Sequence, residues 1–182
     1  MKSTYERLEQ MEKRIHQDGF TQPKGIGSDI PHFVFDYPAK DELQVRIYLK
    51  NMLKRTQLNI EEVNLFKFLL SFFEEDELEE LYELAEEEGI NGLIDAIEPI
   101  LNESNTMFQR FKERTEKADI IFITGVGTAH PFLRSSQLLK IVSSKGYKKP
   151  IILFYPGEFT GLRLKLFGIF DYEDDYQLSR IS

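Results

Sequence analysis

A chain of 182 residues with 41% hydrophobic content can bury one sizeable core, and its 15 Phe and 8 Tyr exclude a disordered chain. The net charge of -8 argues against tight independent binding to duplex nucleic acid, because phosphate neutralisation by Lys and Arg supplies most of that affinity. Without cysteine there is no disulfide framework, thiolate nucleophile or cysteine-bound metal, and a cytoplasmic home is expected.

The charged start Met1-Lys2-Ser3-Thr4 carries no signal-peptide core, and no apolar run approaches membrane-spanning length. Ser3-Thr4-Tyr5-Glu6 has the form of a capping box and opens a helix over 3–17, with Tyr5, Leu8, Met11 and Ile15 on one face. A loop from Gln22 to Pro31 leads into a short strand over 32–37, stopped by Pro38. Leu43, Ile47, Leu49, Met52 and Leu53 suit a helix over 41–55, and 60–65 suits a strand. An acidic, helical middle follows over 66–117. Within it Leu78, Leu81, Tyr82 and Ala85 form the expected core stripe of one helix, a second begins near Asn91 with Pro99 ending or kinking it, and Met107, Phe108 and Phe111 mark a third.

The clearest unit runs over 119–155 as strand, loop, helix and strand. Ile120-Ile121-Phe122-Ile123 is a continuous apolar run, as expected of a strand covered on both faces. Gly125-Val126-Gly127 ends it, and Pro131 suits the first turn of a helix running to about Ser144. Ile151 to Tyr155 forms the second strand, and the short crossover predicts that the two are parallel and right-handed. Gly161 to Phe167 alternates like an edge strand, and 176–181 suits another at the sheet margin. The expected fold is therefore one α/β domain over 1–182: a three-layer, mostly parallel sheet flanked by helices, Rossmann-like or degenerate P-loop-like without the nucleotide fingerprint.

In open parallel sheets ligands bind beyond the carboxyl ends of the strands, which makes the Gly125–Gly127 loop the best-placed candidate site. His130, Arg134 and Glu158 are expected on the same rim, with Asp36-Tyr37-Pro38 joining them if its strand is parallel and adjacent. The dinucleotide fingerprint fails because His130 occupies its third glycine position. There is no G-x-x-x-x-G-K-[ST], no G-x-S-x-G elbow and no H-x-x-x-H pair, so no catalytic residues, metal ligands or cofactor are assigned. The residues 74–88 hold ten acidic side chains and no basic one, so Glu79, Glu80, Glu83 and Glu87 are candidates for docking a basic partner.

Several short motifs occur in a fixed order: Gly25-Ile26-Gly27, Ile30-Pro31, Phe35-Asp36-Tyr37-Pro38, Ile123-Thr124-Gly125-Val126-Gly127, Pro131-Phe132-Leu133-Arg134, and Leu153 to Glu158 followed by Leu164 to Gly168. Together they resemble the BrxB family of bacteriophage exclusion (BREX) systems over nearly the full chain. The chain departs from the family pattern at Ala129-His130 and in its ending, 175–180. The resemblance implies a non-enzymatic subunit acting beside a DNA methyltransferase, a large ATPase and a phosphatase-like PglZ protein in blocking phage DNA replication. The alternative is a small nucleotide- or anion-binding enzyme or sensor using Gly125, Gly127, His130, Arg134 and Glu158.

Overall fold

The computed structural model of the chain describes residues 1–22, 32–174 and 178–182. Helix α1 (Thr4–Ile15) opens on the expected capping box: the Glu6 amide donates to Ser3 Oγ at 3.2 Å and the Ser3 amide to the Glu6 carboxylate at 2.7 Å. Its core positions are Thr4, Leu8, Met11 and Ile15, so Thr4 takes the place expected of Tyr5, which is exposed. Strand β1 (His32–Tyr37) follows, then a 3-10 turn (Ala39–Asp41) and α2 (Glu42–Arg55). Helix α2 buries Val45, Tyr48, Leu49 and Met52, leaving Leu43 and Ile47 facing solvent.

Strand β2 (Ile60–Asn64) leads into α3 (Leu65–Leu70), whose first turn is capped by Asn64 Oδ1 accepting from the Phe66 and Lys67 amides. Helix α4 (Glu75–Leu101) breaks at Gly89, where φ is 71°, a left-handed conformation that favours glycine. The break falls between the two expected helices; Pro99 lies inside the second half without ending it. The first half of α4 is not the core stripe that its spacing predicted. Leu81 packs on the core, but Leu78 and Ala85 are only half-buried and Tyr82 is 67% exposed. Helix α5 (Ser104–Thr115) and strand β3 (Ile120–Thr124) come next.

After β3 the expected single helix over 131–144 is two pieces: a short turn α6 (Val126–Ala129), and α7 (Ser135–Ser144). Pro131 lies between them, after a cis peptide bond, rather than in a first helical turn. Strand β4 (Ile151–Phe159) continues past Tyr155, so Pro156, Gly157 and Glu158 belong to the strand instead of following it. Strands β5 (Arg163–Leu166), β6 (Glu173–Asp174) and β7 (Ser179–Arg180) complete the chain.

The sheet runs in the order β2-β3-β4-β1-β7, all parallel, with β5 antiparallel to the last three residues of β4 and β6 antiparallel to β5. The alternating faces of the strands separate two cores. Phe35, Phe122, Ile152 and Phe154 pack under α1 and α2, whereas Ile121, Ile123, Leu153 and Tyr155 pack against α3 to α7. This is the three-layer α/β arrangement expected, with β3 and β4 parallel neighbours. The hairpin of β4 and β5 closes over Gly157, where a Cβ would sit 2.2 Å from the Lys165 carbonyl oxygen. The strand expected over 161–167 is thus a hairpin arm, and the one expected over 176–181 is β7 at the margin beside β1. Residues 175–177, and the Gly25-Ile26-Gly27 and Ile30-Pro31 motifs, lie outside the described residues.

Candidate functional site: the carboxyl rim of the sheet

Gly125 caps α6 in the left-handed region, with φ 69°, directly beside the end of the neighbouring strand β2. A Cβ there would lie 2.6 Å from Asn64 Oδ1, the atom that caps α3. Gly127 faces a different neighbour: its Cβ would meet Phe167 Cζ at 2.7 Å and Cε1 at 2.9 Å. Both glycines therefore allow close approach by the chain's own side chains. Phe167 itself has φ 54°, a left-handed backbone that costs free energy in a bulky residue, and its amide donates to the Pro156 carbonyl at 2.8 Å.

The Phe167 ring lies 6.0 Å from that of Phe170, and Phe170 lies 4.8 Å from the His130 imidazole. His130 Nδ1 is buried without a hydrogen-bond partner, and burial first, then the charge of Arg134, lowers the pKa of the ring. Arg134 is the exposed N-cap of α7. Glu158 is exposed on β4, opposite Lys165 of β5, and comes close to Gly168. Gly127, His130 and Glu158 thus gather around the segment 167–170, while Gly125 turns toward Asn64. Phe167 and Gly168 close one of the motifs read in the sequence, but neither they nor Phe170 were expected at the candidate site. The signal of this segment is the pair Phe167-Gly168 closing an alternating strand, where both residues take positive φ.

Asp36 sits on the same rim, since β1 is parallel and adjacent to β4 and Asp36 pairs in register with Tyr155. Its carboxylate accepts from Arg7 at 2.9 Å, from Arg180 twice at 3.0 Å, and from the Phe159 amide at 3.1 Å. Arg7 also donates to the Asp36 carbonyl at 2.6 Å and to Ser182 Oγ at 3.1 Å, while Arg180 donates to the Phe159 carbonyl. Burial pushes the Asp36 carboxyl up, but the hydrogen bonds from Arg180 and Phe159 and the charges of Arg180 and Arg7 outweigh it and hold the group below its usual range. All these partners belong to the chain, so Asp36 ties α1, β1, β4 and β7 together. Among the described residues no group of three or more His, Asp and Glu could hold a metal ion, and no helix is long and apolar enough to cross a membrane.

Glu79, Glu80, Glu83 and Glu87 all lie exposed on the first half of α4, on the sheet face opposite α1 and α2. They form one acidic surface beside Tyr82, far in sequence from the glycine rim.

Gly127→Ala is expected to cost about 1–2 kcal/mol, because the new methyl displaces the Phe167 ring. In a Phe167→Ala background the same change should cost little, a coupling that a double-mutant cycle in urea measures. Equal costs in the two backgrounds would show that the ring does not fill this space.

The fold and rim define a parallel three-layer α/β protein whose candidate loop is packed by its own Asn64 and Phe167 side chains, and its relatives place it among the BREX proteins. The family model "BREX protein BrxB" matches residues 61–181. A BREX protein BrxB of Bacillus cereus (strain H3081.97) is 31% identical over 176 residues, covering 92% of each chain. Another, of Escherichia coli O9:H4 (strain HS), is 30% identical over 162 residues, covering 87% of this chain and 81% of that one. The chain belongs to the BrxB family. No solved structure gives a significant match.

Proposed function

We propose that this BREX component is a cytoplasmic, non-enzymatic assembly subunit of an antiphage defence complex. The observation that carries the reading is family membership across almost the whole chain. The packed rim agrees with it, because Asn64 and Phe167 fill the space beside the two glycines that a phosphate would need. Its partners are other BREX components, of the PglZ-like, large ATPase and DNA methyltransferase classes. The acidic first half of α4 is the docking face, where a basic partner is steered by charge and anchored by Tyr82. The alternative, an anion or nucleotide sensor at Gly125, Gly127, His130, Arg134 and Glu158, draws on the unpaired His130 Nδ1 and the exposed Arg134.

Reversing Glu79, Glu80, Glu83 and Glu87 to Lys is expected to leave the thermal midpoint within about 2 °C, as for exposed sites generally. The same change should slow association with the copurifying BREX partner by about tenfold or more at low salt. Stopped-flow or biolayer kinetics at two ionic strengths measures this, and an unchanged on-rate at low salt removes α4 from the interface. For the alternative, a nucleotide that raises the midpoint of the parent but not of Arg134→Ala would favour the sensor.

A further inference from the structure

Helix α2 is locally basic in an acidic protein. It carries Arg46, Lys50, Lys54 and Arg55 against Glu42 alone. Arg46 pairs with Glu42 at 2.6 Å and Arg55 with Glu12 of α1 at 2.6 Å, while among the described residues Lys50 and Lys54 enter no ion pair. On α1, Glu12 also accepts from Tyr48, whereas Glu9 is exposed and enters no ion pair among the described residues. Beside this basic ridge lies a groove of about 620 Å³ between α1 and α2, lined by Tyr5, Leu43, Gln44, Ile47, Tyr48 and Arg55 among others. Its apolar wall is open to solvent: Leu43 is 68%, Ile47 52% and Tyr5 47% exposed.

Leu43 and Ile47 are four residues apart and so stand one above the other on the ridge, with Lys50 and Lys54 continuing the same line. An apolar i, i+4 pair followed by free ammonium groups is the complement of a helix that places carboxylates beside its own apolar stripe. The 14-residue α2 offers a track of about 21 Å, enough for three to four turns of such a helix. We infer that the α1–α2 groove is a second docking site, and that its occupant is an acidic amphipathic helix of another protein. The site lies on the sheet face opposite α4 and does not depend on the reading of α4 as a docking face.

The test uses the full chain and a fluorescein-labelled, stapled peptide of about 14 residues, with leucines at i, i+4 and i+7 flanked by glutamates. Its control carries lysines in place of the glutamates. Anisotropy should show saturable binding of the acidic peptide, weakened at least tenfold by Ile47→Asp and by Lys50→Glu/Lys54→Glu, with the basic peptide at least tenfold weaker on the parent. All three positions are exposed, so thermal midpoints of the variants should match the parent. Failure of the acidic peptide to bind, or equal binding by parent and variants, overturns the inference. So does a concentration-dependent dimer in sedimentation that Ile47→Asp abolishes without peptide binding, which would make a second copy the occupant. Binding of phosphatidylglycerol vesicles in place of the peptide overturns it as well.

Discussion

Asp36→Ala is expected to cost about 3 kcal/mol, because it removes one carboxylate from two guanidinium groups and a backbone amide at once. The side chains of Asp36 and Arg7 are only 13% and 19% exposed, so the loss is not replaced freely by water. Arg7 would retain the Asp36 carbonyl and its place over the Phe35 ring at 4.8 Å, which keeps the cost near the lower end for a broken buried pair. A urea midpoint shifted without change of slope is the expected readout. Arg46→Ala, which breaks an exposed i, i+4 pair on α2, is the control and should cost about 0.5 kcal/mol or less. The direction with pH follows from the lowered carboxyl pKa. The contribution of Asp36 is present above the ordinary carboxylate pKa and is lost as pH falls below it. A cost for Asp36→Ala no larger than for the control would dissolve the reading of Asp36 as the tie between the two ends of the chain.

His32 supplies the second large effect. It opens β1 at 3% exposure, with Nε2 unpartnered and Nδ1 3.4 Å from Ser143 Oγ. Burial lowers its pKa to about 4, so the imidazole is neutral in the fold at pH values where the unfolded chain already binds a proton. The contribution of neutral His32 is fully present above the unfolded value near 6.5 and is lost as pH falls toward 4. The expected loss is about 3 kcal/mol between pH 7 and pH 4. His32→Phe removes this titration, so its stability should fall less steeply with pH over the same interval, as urea titrations at several pH values would show. Parallel pH profiles for parent and variant would contradict the assignment.

The layered fold was legible because the signals for it are local. Ile120 to Ile123 and Ile151 to Phe154 are apolar without interruption, which only a strand covered on both faces requires. Ser3 and Glu6 announced α1 through their reciprocal hydrogen bonds. The order β2-β3-β4-β1-β7 was not legible, since nothing in the spacing says that β1 lies between β4 and β7. Faces were misread where an apolar stripe exceeded what the fold covers. Tyr5 and Tyr82 keep helical spacing yet are exposed, because Thr4 and Leu81 occupy the inner positions. The strand-end position of the glycine loop was legible, and the packing around it was not. Gly125 and Gly127 sit at a strand end as expected, but the side chains filling the space beside them come from Asn64 and Phe167, 61 and 40 residues away along the chain. Such a contact depends on tertiary closure and leaves no periodic trace.

Copurification tests assembly within a BREX system most directly. An affinity-tagged form of the chain, expressed from its own locus in a host carrying the complete system, is expected to retrieve at least one other BREX component. The quadruple Lys variant at Glu79, Glu80, Glu83 and Glu87 should retrieve less of it. Retrieval of no other component by a tagged chain that still supports resistance to phage would contradict the account.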